Sequence, residues 1–391
     1  MSTISSLMNT YNRLPVEFES GKGVWLFDQQ GKKYLDGVSG VAVCALGHCH
    51  PAVTEAITAQ ANKLVHISNL YHIGTQEKLA DKLTAISGMS NCFFSNSGAE
   101  ANEAAIKLAR LYGHKKGIDT PTILVFDSSF HGRTMATLTA SGNRKIQAGF
   151  EPLVKGFTRA PYNDIEAVKN IAKSNSDVVA ILVEPVQGEG GVSVPAWSFL
   201  TELRAICDAN DWLLMLDEVQ TGNGRTGKYF AFQHYDWLPD VVTTAKGLGN
   251  GVPIGACLAH GKAAELFHPG NHGSTFGGNP LACAVALATV NTLCDQGHVD
   301  NAARMGNYFL QQFQEKIGKH KLVKNIRGLG LMIGIELAKD CGSLTSKALE
   351  KGVLINVTNG NVIRLLPALI ITEEEADQLI EAVCELVTEF E

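Results

Sequence analysis

Lys246 ends the apolar run DVVTTAK and is followed at once by the glycines of GLGNG. An amine placed there is expected to be partly desolvated, which lowers its pKa and lets it attack an aldehyde to form a Schiff base. The plainer reading is a lysine whose stem lies along a sheet end and whose head reaches water. Asp217 closes a second apolar run, WLLMLDE. A carboxylate there can cap a helix, pair with an arginine, or face a cationic ring nitrogen and keep it protonated. Ser97-Gly98-Ala99-Glu100 fits the capping box S-x-x-E, and the small Gly98 and Ala99 would let an anion such as phosphate reach the first-turn amides. In SSFHGRT, Phe130 could cover a flat ring and Arg133 could clamp a carboxylate with its planar fork. Core packing for the phenylalanine and a surface ion pair for the arginine are equally open.

Other signals compete with these. LLMLDE followed by GNGRTGK looks like a Walker B strand running into a P-loop, the marks of an ATPase. The residue after the lysine is Tyr229, where Mg²⁺ binding needs Ser or Thr, and the two motifs stand in the wrong order. His48-Cys49-His50 suggests a metal cluster, but adjacent residues point apart and no further Cys/His spacing supports it, so a turn before Pro51 is expected and no metal. The GLGNG run has no acid at the offset a dinucleotide site requires.

These residues need a scaffold. Asn91–Ser95, Thr122–Phe126, Val178–Pro185, Trp212–Glu218 and Asp240–Lys246 are strand-length apolar runs, with helical spacing at Ala99–Tyr112 and Ala196–Asn210. That alternation predicts an α/β fold with a mainly parallel sheet, whose ligands lie at the carboxyl ends of its strands. The flanks differ: a hairpin around Gln30-Gly31, then beyond Pro280 long helices, short strands at LGLMIGIEL and GNVIRLLP, and a last helix. The 391 residues carry 33 Lys+Arg against 39 Asp+Glu, a balance that disfavours a nucleic-acid partner. Nine scattered cysteines, no signal-like opening and no membrane-length apolar run lead to an expected cytoplasmic, reducing location.

In order, SGAEAN, SFHGRT, EPVQGEGG, LDEVQTGNGRTG, AKGLGNGVPIGA and HGSTFGGNPLACA resemble the class III, or ω-type, aminotransferases, pyridoxal 5'-phosphate enzymes of fold type I. The resemblance runs from about Gly21 to the C-terminus. It implies a large domain with a mainly parallel seven-stranded sheet and a smaller α+β domain built from both chain ends. Residues 1–50 would join the small domain, 51–285 would bind the cofactor, and 286–391 would complete the small domain.

The resemblance also assigns roles. Lys246 would bond to the cofactor aldehyde and carry the catalytic proton, and Asp217 would pair with the pyridine nitrogen. Val219 and Phe130 would cover the two ring faces, with Gln220 near the ring hydroxyl. Ser97, Gly98 and Ala99 would bind the phosphate. Thr275 would reach it from the partner in a homodimer with shared sites, with Ser274 beside it near substrate. Arg133 would hold the distal carboxylate and Arg364 the proximal carboxylate of glutamate, which Glu189 would mask while the amine donor reacts. GVAVCALGHCHP, HISNLYH and NHGSTFGGNP look most like the branch that moves the terminal amine of acetylornithine to 2-oxoglutarate, releasing glutamate. Sister branches take succinylornithine, succinyldiaminopimelate, ornithine or 4-aminobutyrate.

Overall fold

Apolar runs too short for helices become the strands of one central sheet. The computed structural model describes residues 6–390. Across the sheet the order is Asn91–Ser95, Gly255–Ala259, Val241–Thr244, Leu213–Asp217, Val178–Val183, Thr122–Phe126 and Phe157–Ala160. All run parallel except Gly255–Ala259, which is antiparallel to both neighbours. The central strands are buried on both faces, as continuous Val/Ile/Leu runs require. Helix Gly98–Lys115 covers one face with Ala104, Ala105, Leu108 and Ala109, side chains small enough to let helix and sheet approach closely. Leu79, Leu83, Phe199, Leu200 and Leu203 cover the other.

Three strands stop short of the expected spans, at Val183, Asp217 and Thr244. The chain leaves the pleat there to present polar groups. Two strands of this sheet were not foreseen. Phe157–Ala160, FTRA, carries polar residues on an edge, and Gly255–Ala259, GACLA, is small and unbranched. Neither has the β-branched signature of a buried strand.

Both chain ends contribute to the second lobe. A four-stranded sheet pairs Phe18–Lys22, Trp25–Asp28 and Lys33–Asp36 with Val353–Leu354 from far downstream. An antiparallel sheet beside it has the order Val323–Leu329, Met332–Leu337, Val362–Leu365, Asn356–Thr358. Helices His298–Ile317 and Glu373–Thr388 bury Phe309, Phe313, Leu379, Ile380 and Val383 against Ile333, Ile335, Ile363 and Leu365. Among the described residues no helix is long and apolar enough to cross a membrane.

The remote P-loop alternative fails on geometry as well. No α-helix opens behind Gly222–Lys228; the segment is a run of turns, buried up to Gly227, followed only by a single short 3-10 turn at Ala231–His234. Arg225 inside it donates to the carbonyl oxygens of Leu331 (3.0 Å) and Pro367 (2.5 Å), tying the loop to the second lobe. The supposed Walker B acids part company. Asp217 faces the cavity described below, whereas Glu218 accepts from the amides of Ala231 (2.6 Å) and Phe232 (2.9 Å). His48 and His50 also diverge: His48 Nε2 lies 2.8 Å from Asp36, and His50 caps helix Pro51–Ala61.

Gly306 shows how tightly the second lobe is assembled. A Cβ there would lie 2.2 Å from the carbonyl oxygen of Gly330, a backbone atom that cannot swing aside. Gly306→Ala should therefore destabilise the folded chain by about 1–3 kcal/mol through overpacking. Urea unfolding would read this as a lower midpoint at unchanged slope, and an unaltered midpoint would show that the helix can shift freely.

Candidate active site

Five strands that run in the same direction deliver the site at their carboxyl ends. Asn91–Ser95 leads to Ser97 and Gly98, Thr122–Phe126 to Phe130 and Arg133, and Val178–Val183 to Glu184 and Glu189. Leu213–Asp217 ends on Asp217 and leads to Val219 and Gln220, and Val241–Thr244 leads to Lys246. Together they line one cavity of about 380 Å³. Lys246 sits at a left-handed φ of 45°, a strained backbone for a side-chain-bearing residue of the kind that gathers at functional sites.

Asp217 is nearly fully buried. Its Oδ2 accepts from Asn102 Nδ2 and lies against His131 Nδ1, each at 2.7 Å, and its Oδ1 accepts from the Val219 amide at 3.0 Å. Asn102 is held in turn by Thr243, whose hydroxyl donates to Asn102 Oδ1 at 2.7 Å. The carboxylate is thus locked in rotation while it lines the cavity, ready for a cationic N–H. Glu184, fully buried behind it, accepts from the amides of Phe130 (3.0 Å) and Gly188 (3.3 Å). Burial raises its pKa well above the usual carboxylate range, with the neighbouring His131 opposing that shift.

The Lys246 side chain is half-buried and makes no hydrogen bond or ion pair among the described residues. Desolvation draws its amine from 10.5 down to about 8; the Glu189 charge resists this and the Arg364 charge assists it. A substantial neutral fraction near pH 8 is what a nucleophile needs.

The start of helix Gly98–Lys115 forms another wall. Ser97 Oγ accepts the Glu100 amide at 3.2 Å. Glu100 reaches back to the Asn96 amide instead of that of Ser97, so the expected capping box is only half made. The first-turn amides of Gly98 and Ala99 stay available at the cavity wall, at the positive end of an 18-residue helix. A Cβ on Gly98 would lie 2.6 Å from Val219, so only glycine lets this helix end approach so closely.

Arg364 is 2 % exposed and bonds Glu189 Oε1 at 2.6 Å and Asn356 Oδ1 at 2.7 Å. Arg133 is exposed, with its guanidinium 5.7 Å from the Phe130 ring centre and no ion-pair partner among the described residues. Two expected residues lie outside this group. Ser274 accepts from Asn96 Nδ2 at 3.2 Å, and Thr275 is exposed; neither lines the cavity of its own chain. Asn102, His131 and Glu184 were not singled out from sequence. Glu184 carries the same mark as Asp217, an acid just past an apolar run, and Asn102 stands one helical turn beyond Gly98.

This donor set fits pyridoxal phosphate. A free desolvated amine suits its aldehyde, a fixed carboxylate its ring nitrogen, and unpaired helix amides beside a needed glycine its phosphate.

The comparisons agree. The model of the family described as "Aminotransferase class-III" matches residues 7–387. An acetylornithine aminotransferase of Nitrosomonas europaea is 59% identical over 387 residues, covering 99% of this chain and 98% of that protein. One from Aquifex aeolicus is 49% identical over 97% of this chain and 99% of its own. Among solved structures, the ornithine aminotransferase of Toxoplasma gondii superposes with a TM-score of 0.94 at 34% identity, covering 98% of this chain and 92% of that one. An acetylornithine aminotransferase from Elizabethkingia anophelis gives 0.89 at 38%, over 98% and 96%.

The depressed Lys246 pKa has a thermodynamic consequence. Below about pH 8 the amine is charged in both folded and unfolded chains, and the folded chain bears the desolvation cost. Between about 8 and 10.5 the unfolded chain binds more protons, so folding stability rises with pH. Cofactor-free Lys246→Met should therefore resist urea better than the parent at pH 7, with the gap closing as pH climbs through that window. A gap independent of pH would refute the desolvated amine.

With its fold, its cavity and its relatives in accord, the chain belongs to the class-III aminotransferases, enzymes that work with pyridoxal phosphate.

Proposed function

We propose that this chain transfers the terminal amino group of N2-acetyl-L-ornithine to 2-oxoglutarate, yielding N-acetylglutamate 5-semialdehyde and L-glutamate. The observation that carries the reading is the Glu189–Arg364 pair at 2.6 Å. One site must take a donor with no carboxylate beside its reacting carbon and another with one there. A cation left bare in the first case would be buried and unpaired, which is costly. Glu189, half-buried at the cavity edge, neutralises Arg364 for the acetylornithine half and swings away when glutamate or 2-oxoglutarate brings its own carboxylate. The full-length relatives named for acetylornithine support the same donor.

When bound, the cofactor supplies an aldehyde that accepts the amino group and a protonated ring that takes up an electron pair. The protein does the rest. Asp217, fixed by His131, Asn102 and the Val219 amide, holds the ring-nitrogen proton. Phe130 and Val219 would enclose the ring, Gln220 would stand near its hydroxyl, and Ser97, Gly98 and Ala99 would hold its phosphate. Lys246 Nζ removes the proton from the carbon bearing the substrate amine and returns it during product formation. Arg133 binds the distal carboxylate in both halves. Each substrate enters after the previous product leaves, giving ping-pong kinetics.

Thr275 belongs to this scheme through a second copy of the chain. Its segment sits in an exposed apolar patch of Leu64, Val65, Leu70, Tyr71 and Phe276, which supports burial in a homodimer where Thr275 reaches the other copy's phosphate and Ser274 lies near its substrate. We place the enzyme in the cytoplasm.

A donor panel of acetylornithine, ornithine and 4-aminobutyrate, each with 2-oxoglutarate, tests the reading. The expected result is the highest kcat/KM with acetylornithine; a clear preference for free ornithine would replace it. Glu189→Ala should lower kcat/KM for acetylornithine on the order of ten-fold more than for glutamate, with cofactor affinity largely kept. Equal losses in both half-reactions, followed by stopped-flow absorbance, would remove Glu189 from the switching role.

A further inference from the structure

Phe130, Arg133 and Glu189 line the catalytic cavity and also a wider outer basin of about 740 Å³, so a molecule in the basin stands at the mouth of the site. Arg144 and Lys145, from the short helix Arg144–Gln147, line the basin but not the cavity.

The charges in this outer space do not cancel. Arg133, Arg144 and Lys145 are exposed, and none has an ion-pair partner among the described residues. Of the two acids that line the basin, Glu189 is committed to Arg364, which leaves Asp340 alone against three cations. The chain as a whole carries a net charge of −6. That total repels an approaching anion, but charges further off than about 8 Å are largely screened at physiological salt. Near the mouth the local cations prevail, and a cationic entrance raises the concentration of anions beside it.

The two substrates feel such a field differently. 2-Oxoglutarate carries two carboxylates and no cation. Acetylornithine carries one carboxylate and one ammonium, so the field turns it and exerts little net pull.

We propose that Arg144 and Lys145 are electrostatic guides that draw the dicarboxylate acceptor toward Arg133 and so speed the acceptor half-reaction selectively. The inference rests on the reading of 2-oxoglutarate as acceptor and gives a role to cations that stand outside the cavity gripping it. Both side chains act before the substrate is seated. They change the rate of capture and leave the proton transfer at Lys246 alone.

The test follows single turnovers by stopped-flow absorbance at limiting substrate. Holoenzyme aminated beforehand with L-glutamate meets 2-oxoglutarate, and untreated holoenzyme meets acetylornithine, each at about 0.01 M and about 1 M NaCl. The parent is compared with Arg144→Gln/Lys145→Gln, and a melting curve confirms that the variant is folded. At low salt the variant should capture 2-oxoglutarate about five-fold more slowly, and at high salt the difference should shrink below about two-fold, as for a charge at the rim of a site. Acetylornithine should move by less than about two-fold at either salt. The reversal Arg144→Glu/Lys145→Glu should deepen the low-salt loss for 2-oxoglutarate. An unchanged rate at low salt, an equal loss for both substrates, or a loss that high salt leaves undiminished overturns the proposal and leaves the acceptor reading standing. Failure of 2-oxoglutarate to react with the aminated parent at all overturns both.

Discussion

A carboxylate that cannot rotate is the constraint on which the site depends. Asp217 stands where a fully buried strand ends, and His131, Asn102 and the Val219 amide occupy it from behind and beside. Each partner arrives from a different element: the loop after Thr122–Phe126, the helix Gly98–Lys115 and the turn after Asp217 itself. The same helix offers its first-turn amides and the same loop presents Phe130. Fixing one acid therefore fixes the phosphate end, a ring face and the ring-nitrogen end of the cofactor space together. Rigid strands and buried helix contacts give this positioning, which mobile loops alone could not.

Electrostatics divide the cavity into zones. Lys246 is kept from full protonation by its surroundings, as a nucleophile and proton carrier must be. Arg364, almost wholly enclosed, is tolerable only because Glu189 and Asn356 satisfy it. Arg133, in contrast, is exposed and unpaired, free to meet an incoming carboxylate at the rim. Moving outward from Lys246, the cavity passes from a desolvated amine, past a masked cation, to the exposed guanidinium of Arg133 at the rim.

Much of this was legible in the sequence because parallel α/β sheets put their chemistry where apolar runs stop. Lys246, Asp217 and Gly98 follow such stops, and the family resemblance supplied partners such as Glu189 and Arg364 that no local pattern marks. The antiparallel strand Gly255–Ala259 and the edge strand Phe157–Ala160 escaped because their composition is small or polar and their pairing is set by neighbours distant in sequence. His131 and Asn102 escaped for a related reason: their importance lies in contacts with Asp217, 86 and 115 residues away. The half-made capping box at Ser97 is a similar lesson, since Glu100 fits the motif but bonds one residue earlier. Ser274 and Thr275 lie outside the cavity of their own chain, and only the homodimer proposed above would seat them.

The central claim, that the Lys246 amine is the one that grips the cofactor aldehyde, can be tested by borohydride reduction of the holoenzyme followed by peptide mass mapping. Reduction makes the bond between lysine and cofactor permanent and leaves the tag on the residue that formed it. The account predicts the tag on the peptide containing Lys246. A tag on any other lysine, or an untagged chain after full loading with the cofactor, would contradict it.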